Sequence, residues 1–240
     1  MKPLLRFGLA VACALASATV IAKPERAEYS VRWDPAQGGP ASAADALKAL
    51  QLRSTERSEY AVQYYEVNAP DALPPGFDAI MRKRHSADEA ELTFKLRGHV
   101  PLSGQPALNQ WTCPLPAPHK RKDEADVTFM GRDDTRKAWS RSCSHASADL
   151  QLQLPAALAA QPKGCPSTML RLEAGKLKVE QWRMADGSTL LEASRLARDT
   201  AGDRAAFRDK VLAPLLAQGI QPIDRSKSMI GGAQSGACVR

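Results

Sequence analysis

Polar and apolar side chains alternate along three short segments of the chain, and most of the polar ones are charged. These residues are Glu28, Ser30 and Arg32, then Arg82 and Arg84, then Glu91, Thr93, Lys95 and Arg97. Successive side chains of a β-strand point to opposite faces, so each segment predicts a strand with one charged face. Charged faces that converge inside a closed antiparallel barrel would hold a charged ligand. The alternative is an ordinary half-buried sheet whose polar face is turned to water.

The first 22 residues have the features of a secretory signal peptide. A basic start precedes an apolar stretch at 7–21, and Val20 and Ala22 stand three positions and one position before a cleavage point at Lys23. The stretch is too short for a comfortable membrane span, and no later apolar run is long enough for one. We therefore expect residues 1–22 to be removed, residues 23–240 to form a single domain, and the mature protein to be periplasmic or secreted.

The charge balance favours an anionic partner. The whole chain has a formal net charge of +7, and removal of Lys2 and Arg6 with the signal peptide lowers it to +5. The basic residues are dispersed, and the only basic run, at 119–122, is interpreted as a solvated loop. We therefore do not expect nucleic acid as a partner.

The expected mature chain has four cysteines, Cys113, Cys143, Cys165 and Cys238. An even set in an oxidising compartment favours two disulfides, and four cysteines leave three connectivities open. Their wide spacing lacks the close pairs of a zinc site.

Strands dominate the elements that the sequence predicts. They are expected at 28–33, 60–67, 77–84, 90–97, 125–132, 136–145, 169–173, 176–183 and 189–197. A short helix should begin after Ser42, and a longer one should cover 200–218 with a kink at Pro214. The prolines of segment 99–122 exclude a central strand or helix there, so we interpret this segment as an insertion.

The order of these elements and three fragments resemble the CYTH, or triphosphate tunnel metalloenzyme, superfamily. The fragments are YYEVNAPDALPPGFDAIMRKR at 64–84, LTFKLRG at 92–98 and DRSKSMIGG at 224–232. The superfamily includes thiamine triphosphatases, inorganic tripolyphosphatases and one class of adenylate cyclases. The resemblance implies an α+β fold of predominantly antiparallel strands, with an eight-stranded tunnel barrel and covering helices.

The resemblance also implies a site inside the tunnel, where basic side chains bind phosphate oxygens and carboxylates hold Mg²⁺ or Mn²⁺. The basic residues that it implies are Arg32, Arg82, Arg84, Lys95, Arg97, Arg183 and Lys227. The carboxylates that it implies as metal ligands are Glu28, Glu180 and Glu192. Phosphoryl transfer needs mainly positioning and charge, so this site requires no nucleophilic side chain.

The first strand departs from the pattern of the superfamily. Members that hydrolyse triphosphates carry Glu-x-Glu-x-Lys there, whereas this chain has Glu28, Ser30 and Arg32. The hydroxyl of Ser30 is neutral and is a poor ligand for a divalent cation, so metal-dependent hydrolysis is expected to be weak or absent.

Two functional hypotheses follow. In the first, an exported CYTH-like protein binds a phosphorylated or other polyanionic small molecule in a basic tunnel, with at most weak phosphohydrolase activity. In the second, the chain is a non-catalytic exported scaffold or interaction module whose tunnel charges pair with one another. An excess of basic side chains over carboxylates in the tunnel would favour the first hypothesis.

We expect the mature protein, isolated from the compartment to which it is exported, to begin near Lys23 and to contain no free thiol, because an even cysteine set meets an oxidising environment. Intact-mass spectrometry after alkylation without reduction measures both properties. Two or more alkylated thiols would contradict the prediction.

Overall fold

Nine strands form a closed ring in the computed structural model, which describes residues 26–67, 73, 75–103, 105–233 and 238. The strands are β1 (Arg26–Trp33), β2 (Glu56–Glu66), β3 (Phe77–His85), β4 (Ala90–Gly98), β5 (Lys120–Phe129), β6 (Thr135–Ser147), β7 (Gln161–Ala174), β8 (Leu177–Arg183) and β9 (Thr189–Arg198). Their order around the ring is β1-β5-β6-β4-β3-β2-β7-β8-β9, and β9 pairs with β1 to close it. Only the β1–β5 pair is parallel among these neighbouring strands. The predicted fold class is confirmed, with nine described strands where the resemblance implied eight.

The two faces of β1 show how the ring is built. Tyr29, Val31 and Trp33 are fully buried between the outside of the ring and the helices that cover it. Each large apolar side chain buried in this way contributes about 1.5–3 kcal/mol to stability. The intervening residues, among them Ser30 and Arg32, point the other way, into the ring. The alternation of the sequence therefore separates an outer apolar core from a charged interior.

Five helices lie within the described part of the chain. They are α1 (Ala43–Ala49), α2 (Pro106–Asn109), α3 (Ala201–Phe207), α4 (Ala213–Ala217) and α5 (Lys227–Ala233). A π-helical segment, Arg208–Leu212, joins α3 to α4, so the helix predicted at 200–218 is continuous. Thr200 caps it, since its side chain accepts a hydrogen bond from the Asp203 N–H. Pro214 lies just after the π-helical segment. Proline has no N–H, so it cannot donate the regular α-helical hydrogen bond at this point.

The basic run at 119–122 was predicted to be a solvated loop; its residues 120–122 are exposed, but they form the start of strand β5 and not a loop. The proline-rich excursion therefore ends at His119. The excursion contains the short helix α2. A disulfide between Cys113 and Cys143 joins it to β6.

A second disulfide, between Cys165 and Cys238, ties the C-terminal region to β7. It settles the connectivity that the sequence left open and confirms that all four cysteines are paired. No helix in the described ranges is long and apolar enough to cross a membrane. The predicted signal peptide, 1–22, lies outside the described residues.

Glycine is required where the loop before α1 meets the end of α4. Gly38 has a φ of 125°, and a Cβ atom placed on it would lie 2.7 Å from the carbonyl oxygen of Gly219. We expect Gly38→Ala to lower the free energy of unfolding by about 1–3 kcal/mol, because it adds both backbone strain and a backbone clash. Urea denaturation measures this loss.

Gly202→Ala provides the matched control for this prediction. Gly202 lies in α3, and no atom lies within 4 Å of the Cβ position. Alanine should leave stability unchanged there or raise it by up to about 1 kcal/mol, because it favours the helix. Equal effects of the two substitutions would contradict the assigned role of Gly38.

Candidate functional site

A cavity of about 470 Å³ lies inside the ring and is lined mainly by charged side chains. It brings together most of the residues predicted for the site, namely Glu28, Arg32, Arg82, Arg84, Lys95, Arg97, Glu180, Glu192 and Lys227. Arg183 is not among them. Glu180 and Trp182 share the inner face of β8, so Arg183 falls on the opposite face, where it is exposed. The structure thus corrects the placement of Arg183 in the tunnel.

Arg82 and Arg84 on β3 share one carboxylate, that of Glu91 on the neighbouring strand β4. Arg84 donates to Glu91 Oε2 at 3.1 Å, and Arg82 donates to Thr93 Oγ1 at 3.1 Å and lies 3.4 Å from Glu91 Oε1. The Arg84 guanidinium also lies over the Tyr60 ring, 4.9 Å from its centre. The buried Nε atoms of both arginines lack a hydrogen-bond partner among the described residues, although Arg84 Nε lies 3.1 Å from Glu91 Oε1.

The pKa values of this cluster reflect the shared carboxylate. Burial and the charge of Arg82 lower the pKa of Arg84. Burial alone would raise the pKa of Glu91, but Arg84 and Arg82 outweigh it and hold that pKa below its usual value. The carboxylate is therefore a fixed negative charge, and the two cations beside it repel each other.

Lys95 and Arg97 on β4 reach across β6 to Asp126 on β5. Asp126 Oδ2 accepts from Lys95 Nζ at 3.3 Å and from Arg97 NH2 at 2.7 Å. The residues of β6 paired with these two cations are Ser142 and Ser140, whose small side chains leave room for the contact. Burial would raise the pKa of Asp126, but Lys95 and Arg97 hold it well below its usual range.

Lys227, at the start of α5, joins two further strands. Its Nζ lies 2.7 Å from Glu180 Oε2 on β8 and 2.7 Å from Glu192 Oε1 on β9. Arg171 on β7 donates to the other oxygen of Glu180 at 2.7 Å. Arg32 on β1 pairs with Glu192 Oε2. Each of these two carboxylates therefore has two cationic partners.

This arrangement does not fit the metal ligands that the resemblance implied. Both oxygens of Glu180 and of Glu192 are already engaged by cations, and Trp182 Nε1 also donates to Glu180 at 3.1 Å. Burial raises the pKa of Glu180, but Lys227 and Arg171 overcome it and hold that pKa far below its usual value. These carboxylates position cations instead of standing free to bind a metal ion.

A different group of carboxylates lies closer together. Oxygen atoms of Glu28, Glu124 and Asp126 all lie within 4.8 Å of one another. Two of the three are matched by cations, because Asp126 binds Lys95 and Arg97, and Glu124 Oε1 lies 2.6 Å from Lys122 Nζ. Burial, followed by the charge of Glu192, raises the pKa of Glu28. Asp126 Oδ1 has no partner among the residues that the structure describes.

Several residues of the site were missed by reasoning from the sequence. They are Lys120, Arg121, Lys122, Glu124, Asp126, Arg171 and Lys178. Alternation was a usable signal for some of them, since Lys122, Glu124, Asp126 and Thr128 occupy every second position of β5. The strand was predicted to begin at residue 125, which hid the first half of this pattern.

Replacement of Glu28 and of Glu180 should have opposite effects on stability at neutral pH. Glu180→Gln should cost about 3–5 kcal/mol, because it leaves Lys227 and Arg171 buried without their shared anion. Glu28→Gln should be neutral or stabilising, because it removes a carboxylate that burial disfavours in its charged form. Urea denaturation of the two variants and the parent measures the difference.

The dependence on pH separates these effects from simple packing changes. The pKa of Glu28 is raised in the folded state, so its unfavourable contribution should grow as pH rises above 4.5 and should be absent from Glu28→Gln. The pKa of Glu180 is lowered, so its stabilising contribution should be present above pH 4.5 and should be lost as pH falls below it. Equal pH profiles for both variants would contradict this assignment.

The sequence matches none of the protein families with which it was compared, and no curated protein. The three solved structures described next are similar to this chain in fold, each at 10% sequence identity. The PH1012 protein of Pyrococcus horikoshii OT3 aligns over 83% of this chain and 96% of its own, with a TM-score of 0.47. A candidate adenylate cyclase of Vibrio parahaemolyticus aligns over 85% and 96%, with a TM-score of 0.46. HpAC1 of Hippeastrum, a candidate adenylyl cyclase described as having a dominant triphosphatase activity, aligns over 89% and 98%, with a TM-score of 0.47.

These similarities are too distant to carry a functional argument. The strand order, the charged interior and the entry of Lys227 from the C-terminal region are features of this chain itself. The described chain thus forms a closed, predominantly antiparallel ring around a charged interior, the type of tunnel that the resemblance of its segments at 64–98 and 224–232 implies.

Proposed function

We propose that this protein is exported and binds a phosphorylated or other polyanionic small molecule in its basic tunnel. The observation that carries the proposal is that Arg82 and Arg84 line the cavity and share a single carboxylate, that of Glu91. An oxyanion bound in the cavity beside the two guanidinium groups would form charge-assisted hydrogen bonds and relieve their repulsion.

The ratio of charges supports the same conclusion. Seven cations share four carboxylates in the tunnel wall, and each carboxylate has two cationic partners. The cations are Arg32, Arg82, Arg84, Lys95, Arg97, Arg171 and Lys227, and the carboxylates are Glu91, Asp126, Glu180 and Glu192. One-to-one pairing, as the scaffold hypothesis requires, would leave no charge for a ligand. The excess favours an anion-binding site.

A second cavity, of about 730 Å³, continues from the first and shares Arg32, Tyr64 and Arg97 with it. Its charges are balanced, with Arg32, Arg97, Arg136 and Lys163 against Glu66, Asp78, Asp126 and Asp224. Tyr65, Ile80 and Met229 add apolar surface. In our proposal the anionic group of the ligand therefore lies in the first cavity, and any uncharged part extends into the second.

Export and oxidation support this choice of ligand. Both disulfides are formed, as expected in an oxidising compartment, and the sequence predicts a signal peptide at 1–22. Nucleoside triphosphates are scarce outside the cytoplasm, so polyphosphates and other extracytoplasmic anions are better candidates. Phosphohydrolase activity, where present, should be weak, because Glu180 and Glu192 are committed to cations.

Arg84→Met tests the proposal. The substitution keeps much of the side-chain stem and removes the charge, so it should weaken the binding of tripolyphosphate at least tenfold, or about 1.4 kcal/mol. The empty protein should be as stable as the parent or slightly more so, because burial and Arg82 already disfavour the Arg84 cation. Isothermal titration calorimetry at low salt measures affinity, and thermal unfolding without ligand measures stability.

Arg57→Met is the matched control, because the Arg57 side chain is 63% exposed and, among the described residues, its ion-pair partner is the exposed Glu59. It should change neither quantity by a measurable amount, as for most surface ion pairs. If Arg84→Met binds as tightly as the parent, or if the parent is not stabilised by any of tripolyphosphate, pyrophosphate or sulfated sugars, the scaffold hypothesis replaces this one.

A further inference from the structure

We infer that this tunnel binds its anion without a divalent metal, and that Arg32 is a fixed cation of the site at the junction of the two cavities. This inference rests on the proposed function and specifies how the site recognises its ligand.

The position of Arg32 is the first observation. It lines both cavities and therefore lies where they meet. The residue is only 6% exposed. Its guanidinium pairs with Glu192 and lies 3.3 Å from Thr128 Oγ1 and 3.4 Å from Ser30 Oγ. A buried, planar cation held on three sides is pre-organised to present its charge to a ligand oxygen.

The second observation is a row of hydroxyl groups beside it. Ser30 on β1 pairs in register with Thr128 on β5 and with Ser194 on β9, so three adjacent strands place a hydroxyl at the same level. All three residues are buried. Ser30 stands where the superfamily motif has its second carboxylate. Neutral hydroxyl groups accept hydrogen bonds from a guanidinium but do not neutralise a divalent cation.

The remaining carboxylates do not replace the missing ligand. For Glu192 to bind a metal ion, it would have to release Arg32 or Lys227, and for Glu180 the corresponding cations are Arg171 and Lys227. Separating such buried pairs leaves charges without compensation, which costs several kcal/mol. A metal ion at the cluster of Glu28, Glu124 and Asp126 would compete with Lys122 for Glu124 and with Lys95 and Arg97 for Asp126. Like charges in a partly dry site repel strongly.

Anion binding by the unmodified protein, with and without a divalent metal, tests the inference directly. Calorimetric titration with tripolyphosphate should be carried out once in EDTA and once in excess Mg²⁺. Because Mg²⁺ itself binds tripolyphosphate and reduces its charge, we expect the affinity in EDTA to equal or exceed that in Mg²⁺. An affinity at least tenfold lower in EDTA, or about 1.4 kcal/mol, would overturn the inference.

Two substitutions test the residue itself. Arg32→Gln should weaken binding in EDTA at least tenfold, because it removes the fixed cation at the junction of the two cavities. Ser30→Glu should weaken binding in EDTA by placing a negative charge beside Arg32, and Mg²⁺ should restore part of the loss. Ala148→Glu adds the same charge at an exposed position and should change neither affinity.

The outcomes separate this inference from the proposed function. Tripolyphosphate binding that appears only with Mg²⁺ would overturn the role of Arg32 and leave the anion site intact. Absence of binding in both buffers would overturn both. If Arg32→Gln does not fold, because Glu192 loses a buried partner, the comparison of the parent in EDTA and Mg²⁺ still decides.

Discussion

The structure depends on the sharing of a few carboxylates among a larger number of cations inside a closed ring. Removing charged groups from water is expensive, and an ion pair offsets that cost only when its geometry is good and its remaining hydrogen bonds are made. Here each of four carboxylates lies between two cations from other positions of the ring. The carboxylates therefore stabilise the tunnel wall by pairing with cations from different strands, and the excess positive charge faces the cavity.

Some of these contacts lie within one hairpin, as for Arg84 and Glu91 on β3 and β4, but others join strands that no single hairpin contains. Asp126 on β5 binds two residues of β4, although β6 lies between these strands. The contact requires small side chains at the intervening positions, and β6 supplies Ser140 and Ser142 there. Lys227 joins two further strands from outside the sheet, because α5 brings its ammonium group to Glu180 on β8 and to Glu192 on β9. The most C-terminal charged residue of the site thus depends on the packing of α5 against β7 and β2.

Alternation in the sequence was enough to predict the charged faces but not which charges meet. Arg82, Arg84 and Lys95 were placed correctly because their local period of two decides which face they occupy. Arg183 was misplaced because its strand was predicted without a register. It directly follows Trp182, which lies on the inner face of β8, so its own side chain lies on the outer face. The roles of Glu180 and Glu192 could not be read from the sequence. A carboxylate in a tunnel is either a metal ligand or an anchor for a cation, and only the distances to Lys227, Arg171 and Arg32 distinguish the two.

The balance of charge also explains how binding and stability are coupled in such a tunnel. An empty site with surplus cations stores repulsion, most clearly between Arg82 and Arg84, which share the single carboxylate of Glu91. A bound anion removes that repulsion, so its contribution to the folded state exceeds the hydrogen bonds that it forms. A metal ion could supply positive charge for the same purpose, but it must be acquired from the surroundings and needs free carboxylates to hold it. A guanidinium needs neither, because it stays charged at every relevant pH and is attached to the chain. Arg32 is oriented by its ion pair with Glu192 and by the hydroxyl groups of Thr128 and Ser30, and these neutral hydroxyl groups add acceptors without adding negative charge.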